Sequence, residues 1–266
     1  MHHPTVNIAL KAARGAGKII LRSMDRLDRL VIEEKGQNDF VTEVDRQVEQ
    51  ELIYQISKAF PDHAILGEEG GFSVGDEHAE FQWVIDPLDG TTNFVRGIPH
   101  FAISIACKHN GKLEHGVVYD PVRQEEFSAT RGKGAQLNGN RLRVSKRNDL
   151  AQAVLGTGIP YRSRQEEKIP QYMQTLEILT SQCAGIRRMG SASLDLAYVA
   201  AGRFEAFWET SLSEWDLAAG ALLVQEAGGL VSDFRGGPNF LKSGDIVCGN
   251  PKCFKSVLQV VGPVLS

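Results

Sequence analysis

The run Trp83-Val84-Ile85 followed at once by Asp86-Pro87-Leu88-Asp89-Gly90-Thr91-Thr92-Asn93-Phe94 constrains this chain more than any other stretch. The three apolar residues read as a short buried strand. Pro87 disfavours helical geometry at Asp86 and fixes its own φ, and Gly90 permits a tight or left-handed turn. Asp86 and Asp89 are therefore expected to project from one turn toward one point. Thr91, Thr92 and Asn93 read as the start of a short helix, whose free N–H groups and positive dipole end suit a phosphate. Two carboxylates beside a phosphate would repel it unless a cation sat between them. All-oxygen ligation points to a hard cation, Mg²⁺ ahead of Mn²⁺ or Ca²⁺. Taken alone, the same residues also describe an Asx turn with an N-capping aspartate.

Other acidic groups stand in similar settings. Glu68, in Gly67-Glu68-Glu69-Gly70-Gly71, follows the apolar strand Ala64-Ile65-Leu66. Asp216, in Trp215-Asp216, opens a helix after a strand ending Trp208-Glu209. Asp45, in Thr42-Glu43-Val44-Asp45, opens another helix. Each by itself is a common cap or solvated turn.

The pattern around them is mixed. Val6 to Met24 and Glu43 to Phe60 read as amphipathic helices, the second stopped by Pro61. Phe101 to Lys108 and Leu113 to Tyr119 read as strands joined by a type I′ turn at Asn110-Gly111, and Glu126 to Thr130 continues the sheet. Beyond about residue 150, strands (Ala153 to Gly156, Ile186 to Met189, Phe204 to Trp208, Leu230 to Ser232, Ile246 to Cys248) alternate with helices. The expected helices are Gln165 to Ser181, Ser191 to Ala201, Trp215 to Ala227 and Pro251 to Val261. Such alternation implies layers of helix and sheet. A boundary near residue 150 divides the chain into 1–150 and 151–266, expected to fold against each other as one unit; 266 residues allow that arrangement.

Composition excludes several classes. A formal net charge of −4 argues against a broad nucleic-acid footprint. No secretory signal is read after Met1-His2-His3-Pro4, and no apolar run approaches the roughly 20 residues that span a bilayer. Cys107, Cys183, Cys248 and Cys253 lack metal-ligand spacing and read as reduced thiols of a cytoplasmic protein. No G-x-G-x-x-G opens a helix, so no dinucleotide fingerprint is present.

The motifs together resemble the inositol monophosphatase family, within the Mg²⁺-dependent, lithium-sensitive sugar phosphatases, and are most similar to its bacterial members. The resemblance rests on FVTEVD (Phe40 to Asp45), GEEG (Gly67 to Gly70), WVIDPLDGTTNF (Trp83 to Phe94), GSAS (Gly190 to Ser193) and WDLAAGALLVQEAGG (Trp215 to Gly229). It implies an α-β-α-β-α sandwich, usually a homodimer, that hydrolyses myo-inositol monophosphate. By this resemblance Glu68, Asp86 and the Leu88 carbonyl hold one Mg²⁺, and Asp86, Asp89 and Asp216 hold a second. A third, weaker ion sits near Glu68. The nucleophile is a water activated by metal, oriented by Thr91, with Asp45 accepting from Thr91. The Gly90 and Thr91 N–H groups meet the phosphate, and Gly190, Ser191, Ala192 and Glu209 meet the sugar hydroxyls. Lys35 matches a family lysine near the metals.

The resemblance also implies alternatives. Relatives handle fructose bisphosphate or 3′-phosphoadenosine phosphates, so another small sugar phosphate remains open as substrate. Close bacterial relatives act as accessory factors in transcription antitermination of ribosomal RNA operons through RNA polymerase-associated proteins, a binding role that needs no catalysis. Among the remaining residues, Arg187-Arg188 reads as a surface or dimer contact. Glu214 reads as solvated or as tuning the third metal. His63, His78, His100, His109 and His115 read as structural or exposed, and Trp83 and Trp215 as core anchors.

Overall fold

The structure, a computed structural model, describes residues 2–27, 32–36, 39–75, 78–160 and 166–266, with backbone only at 32–36 and 39–41. Its first helix, α1 (Pro4–Met24), buries an alanine-rich stripe (Ala9, Ala12, Ala13, Ala16) with Leu10 and Ile20. Small residues let the helix approach closely; Gly17 lies against the Tyr119 ring. The helix α2 (Glu43–Ala59) packs beside it, with Val48, Leu52 and Ile56 inward. In the chain the antiparallel pair β1 (Ile32–Gly36) and β2 (Asp39–Thr42) connects the two helices.

Eight strands form the larger sheet: β3 (Ala64–Gly67), β4 (Gly71–Val74), β5 (Phe81–Asp89), β6 (Ala102–His109), β7 (Lys112–Asp120), β8 (Glu125–Thr130), β9 (Gly134–Leu137) and β10 (Asn140–Arg141). Their order is β10-β9-β8-β7-β6-β5-β3-β4, antiparallel except for β3 beside β5. Asn110-Gly111 and Asn138-Gly139 all take positive φ, as type I′ hairpin turns require. Five strands form the second sheet, in the order β12-β11-β13-β15-β14: β11 (Val154–Thr157), β12 (Gly185–Arg187), β13 (Ala206–Glu209), β14 (Leu230–Ser232) and β15 (Ile246–Gly249).

Two helices fill the space between the sheets. They are α5 (Ala192–Ala200) and α6 (Glu214–Glu226), which follow the five-residue α3 (Thr91–Val95) and α4 (Ile169–Thr180) in chain order. Both are buried nearly all round, which is why Leu217 to Val224 shows no polar stripe. Gly220 permits their contact, since a Cβ there would stand 2.5 Å from Leu196. The short α7 (Phe240–Ser243) follows, and α4 packs with α8 (Pro251–Leu265) outside the second sheet. The layers are therefore α1/α2, large sheet, α5/α6, small sheet and α4/α8, the expected α-β-α-β-α sandwich, with a hydrophobic cluster at each helix–sheet face.

Several expected boundaries move, among them that of β5, which runs over Phe81–Asp89 and not over Trp83 to Ile85 alone, and that of α8, which ends at Leu265 and not at Val261. The helix expected from Gln165 begins at Ile169, with Pro170 in its first turn and a 3₁₀ turn over Glu166–Lys168 before it; residue 165 lies outside the described residues. The strand expected over Ile186 to Met189 pairs only over Gly185–Arg187, and the one expected from Phe204 begins at Ala206. Among the described residues all four cysteines are free, and no helix is long and apolar enough to cross a membrane.

Candidate cation and phosphate site

The site lies at the C-terminal end of β5. Residues three apart on a regular strand face opposite sides of a sheet. Here a bulge intervenes: Asp86 pairs with Ser104 and Asp89 with Ala102, so β5 carries one residue more than β6 between them. The extra residue changes the parity, and Asp86 and Asp89 face the same side. Pro87, which has no N–H to give a ladder, sits inside the bulge. Gly90 then adopts φ 95°, and a Cβ there would stand 3.1 Å from the carbonyl oxygens of Gly190 and His100.

Asp216 arrives from the first turn of α6. One oxygen each from Asp86, Asp89 and Asp216 lies within 4.8 Å of the others. Protein donors hold each carboxylate. Leu88 N–H donates to Asp86 Oδ1 at 2.9 Å, the Asx-turn bond the sequence also allowed. Ser191 Oγ and Ser193 N–H each donate to Asp89 Oδ2 at 2.7 Å, joined by Ser193 Oγ. Ser213 N–H donates to Asp216 Oδ2 at 2.7 Å in a capping box. Burial, with Glu68, Asp89 and Asp216 beside it, holds the Asp86 carboxyl well above the usual range. Burial, Asp89 and Glu68 do the same to Asp216. Burial also raises Asp89, against the pull of its serine donors. A fold that gathers buried carboxylates this tightly stabilises their ionised forms only with a cation among them. The donor set is all oxygen, so a hard divalent ion such as Mg²⁺ fits it.

Glu68, on the loop after β3, stands outside this tightest trio, although its charge acts on both Asp86 and Asp216. Leu88 offers its carbonyl to the Thr91 hydroxyl at 3.0 Å. Thr91 Oγ1 also lies 3.0 Å from Asp45 Oδ1, and its single proton serves one acceptor at a time. Asp45 is the third residue of α2. Its Oδ2 takes the Thr42 N–H at 2.9 Å and the Thr42 hydroxyl at 2.6 Å, so it caps the helix and faces the site together. Burial raises its pKa while the Thr42 and Thr91 bonds oppose.

Glu209 ends β13 with its carboxylate seated over Gly158, where a Cβ would come within 1.7 Å of Oε1. Burial pushes it up to about 8, against the lowering pull of Arg188. Gly190 precedes Ser191 and Ala192 at the start of α5, with φ 84°. The Asn93 side chain binds this segment to the bulge turn. Its amide nitrogen donates to His100 O at 2.7 Å and Met189 O at 2.9 Å.

The structure thus brings Asp45, Asp86, Leu88, Asp89, Gly90, Thr91, Asp216 and the Ser191–Ala192 turn together, with Glu68 adjacent. Glu214 is half-buried and pairs with Lys108 Nζ at 2.8 Å. Arg188 is not only a surface residue, since its charge bears on Glu209. The histidines stay outside the carboxylate trio; His63 accepts from Trp83 Nε1 at 3.0 Å and His115 meets Thr130. The side chain of Lys35 lies outside the described residues. The sequence reading missed Ser193, Asn93 and Ser213. Asn93 and Ser193 lie within quoted motifs but carry no local sign of their partners, whereas Ser213-x-x-Asp216 spells a capping box.

Comparison with known proteins places this geometry in context. The family model described as the inositol monophosphatase family matches residues 1–261. A protein of Pseudomonas aeruginosa named Nus factor SuhB is 62% identical over 263 residues, 98% of this chain and 97% of its own. The crystal structure of the extragenic suppressor protein suhB from Bartonella henselae superposes with a TM-score of 0.92 at 40% identity, covering 96% of this chain and 97% of that one. An IMPase of Thermotoga maritima gives 0.87 at 37% identity, covering 97% of each.

Proposed function

The chain belongs to the inositol monophosphatase family, and on that footing we propose that it is a Mg²⁺-dependent phosphatase that hydrolyses myo-inositol monophosphate to inositol and inorganic phosphate. The observation that carries this reading is the trio of the buried Asp86 and Asp89 with the half-buried Asp216, mutually repelling and with one oxygen of each within 4.8 Å of the others. Asp86, Asp89 and Asp216, with Glu68 and the Leu88 carbonyl, would hold divalent cations, which when bound would supply a more acidic water and a counter-charge for a phosphate ester.

The chain's own groups do the rest. Thr91 orients the attacking water and passes its proton toward Asp45, whose raised pKa makes it a stronger base than an exposed aspartate. Gly90 and Thr91 N–H groups, at the start of α3, receive the phosphate. Glu209 accepts from substrate hydroxyls, and the Gly190–Ala192 turn lines the same side. Comparing kcat/KM over inositol 1-phosphate, other sugar monophosphates, fructose bisphosphate and a 3′-phosphoadenosine phosphate tests the substrate class. A preference for any ester over inositol phosphate by an order of magnitude would move the assignment.

The name Nus factor carried by relatives at 47–62% identity supports a second reading, an accessory role in transcription antitermination through RNA polymerase-associated proteins. Both roles fit a cytoplasmic homodimer. Asp86→Asn separates them: a folded, inactive variant that rescues a deletion strain assigns the cellular role to binding, and failure to rescue assigns it to catalysis.

A further inference from the structure

The loop that carries Glu68 is framed by two glycines, Gly67 and Gly70, and neither has a positive φ. Their φ angles do not by themselves call for glycine. A side chain at Gly67 would have to displace one neighbour: the three heavy atoms nearest an added Cβ are Glu49 Oε2 at 2.3 Å, Cδ at 2.6 Å and Oε1 at 3.1 Å. At Gly70 the Cβ would meet Glu49 Oε1 and Ser73 Oγ, each at 3.0 Å. Glu49 comes from α2, is 4% exposed, and accepts the Glu69 N–H at 2.9 Å through Oε2. Its carboxylate therefore fills the inside of the loop whose outside presents Glu68.

Glu49 also stands one turn beyond Asp45, on the same face of α2. Like charges four residues apart weaken a helix slightly, and a buried carboxylate is costly. The pair is explained if one face of α2 holds two loops in register: Asp45 the Thr91 turn, Glu49 the Glu68 turn. We propose that Glu49 is a positioning residue for Glu68, its buried carboxylate fixing the Gly67–Gly70 loop so that Glu68 reaches the cation centre. This rests on the cation-centre reading of the Asp86 site. It also explains both glycines of the motif: they make room for an anion that comes from another helix.

The test is a double-mutant cycle read by binding of Mn²⁺ to the full chain without substrate, by calorimetry and by the Mn²⁺ resonance signal. Thermal unfolding and the Mg²⁺ dependence of phosphate release are measured alongside. Residues that orient metal ligands typically change affinity by about 10–100-fold. Glu49→Ala and Gly67→Ala should each weaken Mn²⁺ binding by about tenfold or more on that scale, raising the Mg²⁺ needed for half-activity while leaving KM at saturating Mg²⁺ unchanged. Glu49→Gln, which keeps an oxygen for the Glu69 N–H, should retain most of the affinity. The decisive prediction is non-additivity: Gly67→Ala adds little to Glu49→Ala, because its methyl enters the space the carboxylate left. If Gly67→Ala alone does not fold, recovery of folding in the double variant gives the same answer. Glu49→Ala binding Mn²⁺ like the wild type, or a Gly67→Ala cost equal in both backgrounds, overturns the inference. Wild-type protein that binds no Mn²⁺ overturns the cation-centre reading, and the inference with it.

Discussion

Thr91 Oγ1 lies 3.0 Å from Asp45 Oδ1, while Asp45 Oδ2 is occupied by the N-cap of its own helix. One carboxylate thus anchors a helix start with one oxygen and meets the Thr91 hydroxyl with the other. The two bonds to Thr42 aim the second oxygen, so its direction is set without any ligand.

Removing the basicity of Asp45 while keeping its shape should separate chemistry from binding. Asp45→Asn is expected to lower kcat by about 10²–10⁴-fold, the range for a lost general base. KM and Mn²⁺ affinity should stay within a few-fold. Thr91→Ser, which keeps the hydroxyl, should retain most activity and Thr91→Ala should not. Steady-state kinetics with parallel Mn²⁺ titrations check all three.

The carboxylate trio sets a stability relationship with pH. Asp86 and Asp216 have pKa values well above normal in the metal-free fold. Below the ordinary value of about 3.9 both folded and unfolded chains hold these protons, and nothing is lost. As pH rises, the unfolded chain ionises first, so the metal-free fold loses stability until its own raised pKa values are passed. The melting-temperature gap between Mg²⁺ and a chelator should therefore widen from pH 5 to pH 8. Asp86→Asn should melt higher than the metal-free wild type at pH 8; about 1 kcal/mol corresponds to about 2–4 °C in a chain of this size class. An Asp86→Asn variant that melts lower would contradict the account.

Glu209 gives a second pH dependence. Held up to about 8, it is mostly protonated at neutral pH and becomes a better hydroxyl acceptor as it ionises. For inositol 1-phosphate, kcat/KM should rise between pH 7 and pH 9 more steeply in the wild type than in Glu209→Gln. The loss in Glu209→Gln should fall mainly on KM. Initial rates across that range supply the comparison.

Asn93 joins the bulge turn to the start of α5 through bonds to His100 O and Met189 O. Asn93→Ala leaves these carbonyls without their donor, which costs about 1–3 kcal/mol when the groups are buried. Denaturant unfolding should show a loss of that size. KM should rise as the Gly190–Ala192 turn drifts from Thr91.

How much of this was legible depended on distance along the chain. The Asx-turn bond at Asp86, the hairpin at Asn110-Gly111 and the first two helices are local patterns, and the residues carry them openly. The layering followed from the alternation of elements and from the family resemblance. The bulge was not legible, because its parity change appears only against β6. Ser193 was not, because it meets Asp89 across 104 residues. Glu49 reads as one more solvated helix glutamate until Gly67 is found against it. The Lys108–Glu214 pair joins two elements 106 residues apart, so Glu214 looked like a charge in search of a role.

The most direct test is inorganic phosphate released from myo-inositol 1-phosphate by the purified chain, titrated with Mg²⁺ and repeated with a chelator and with Asp86→Asn. The account predicts release that rises with Mg²⁺, stops with chelator and is absent in the variant. Wild-type protein that is folded yet releases no phosphate at any Mg²⁺ concentration, or releases it equally with chelator, would contradict it.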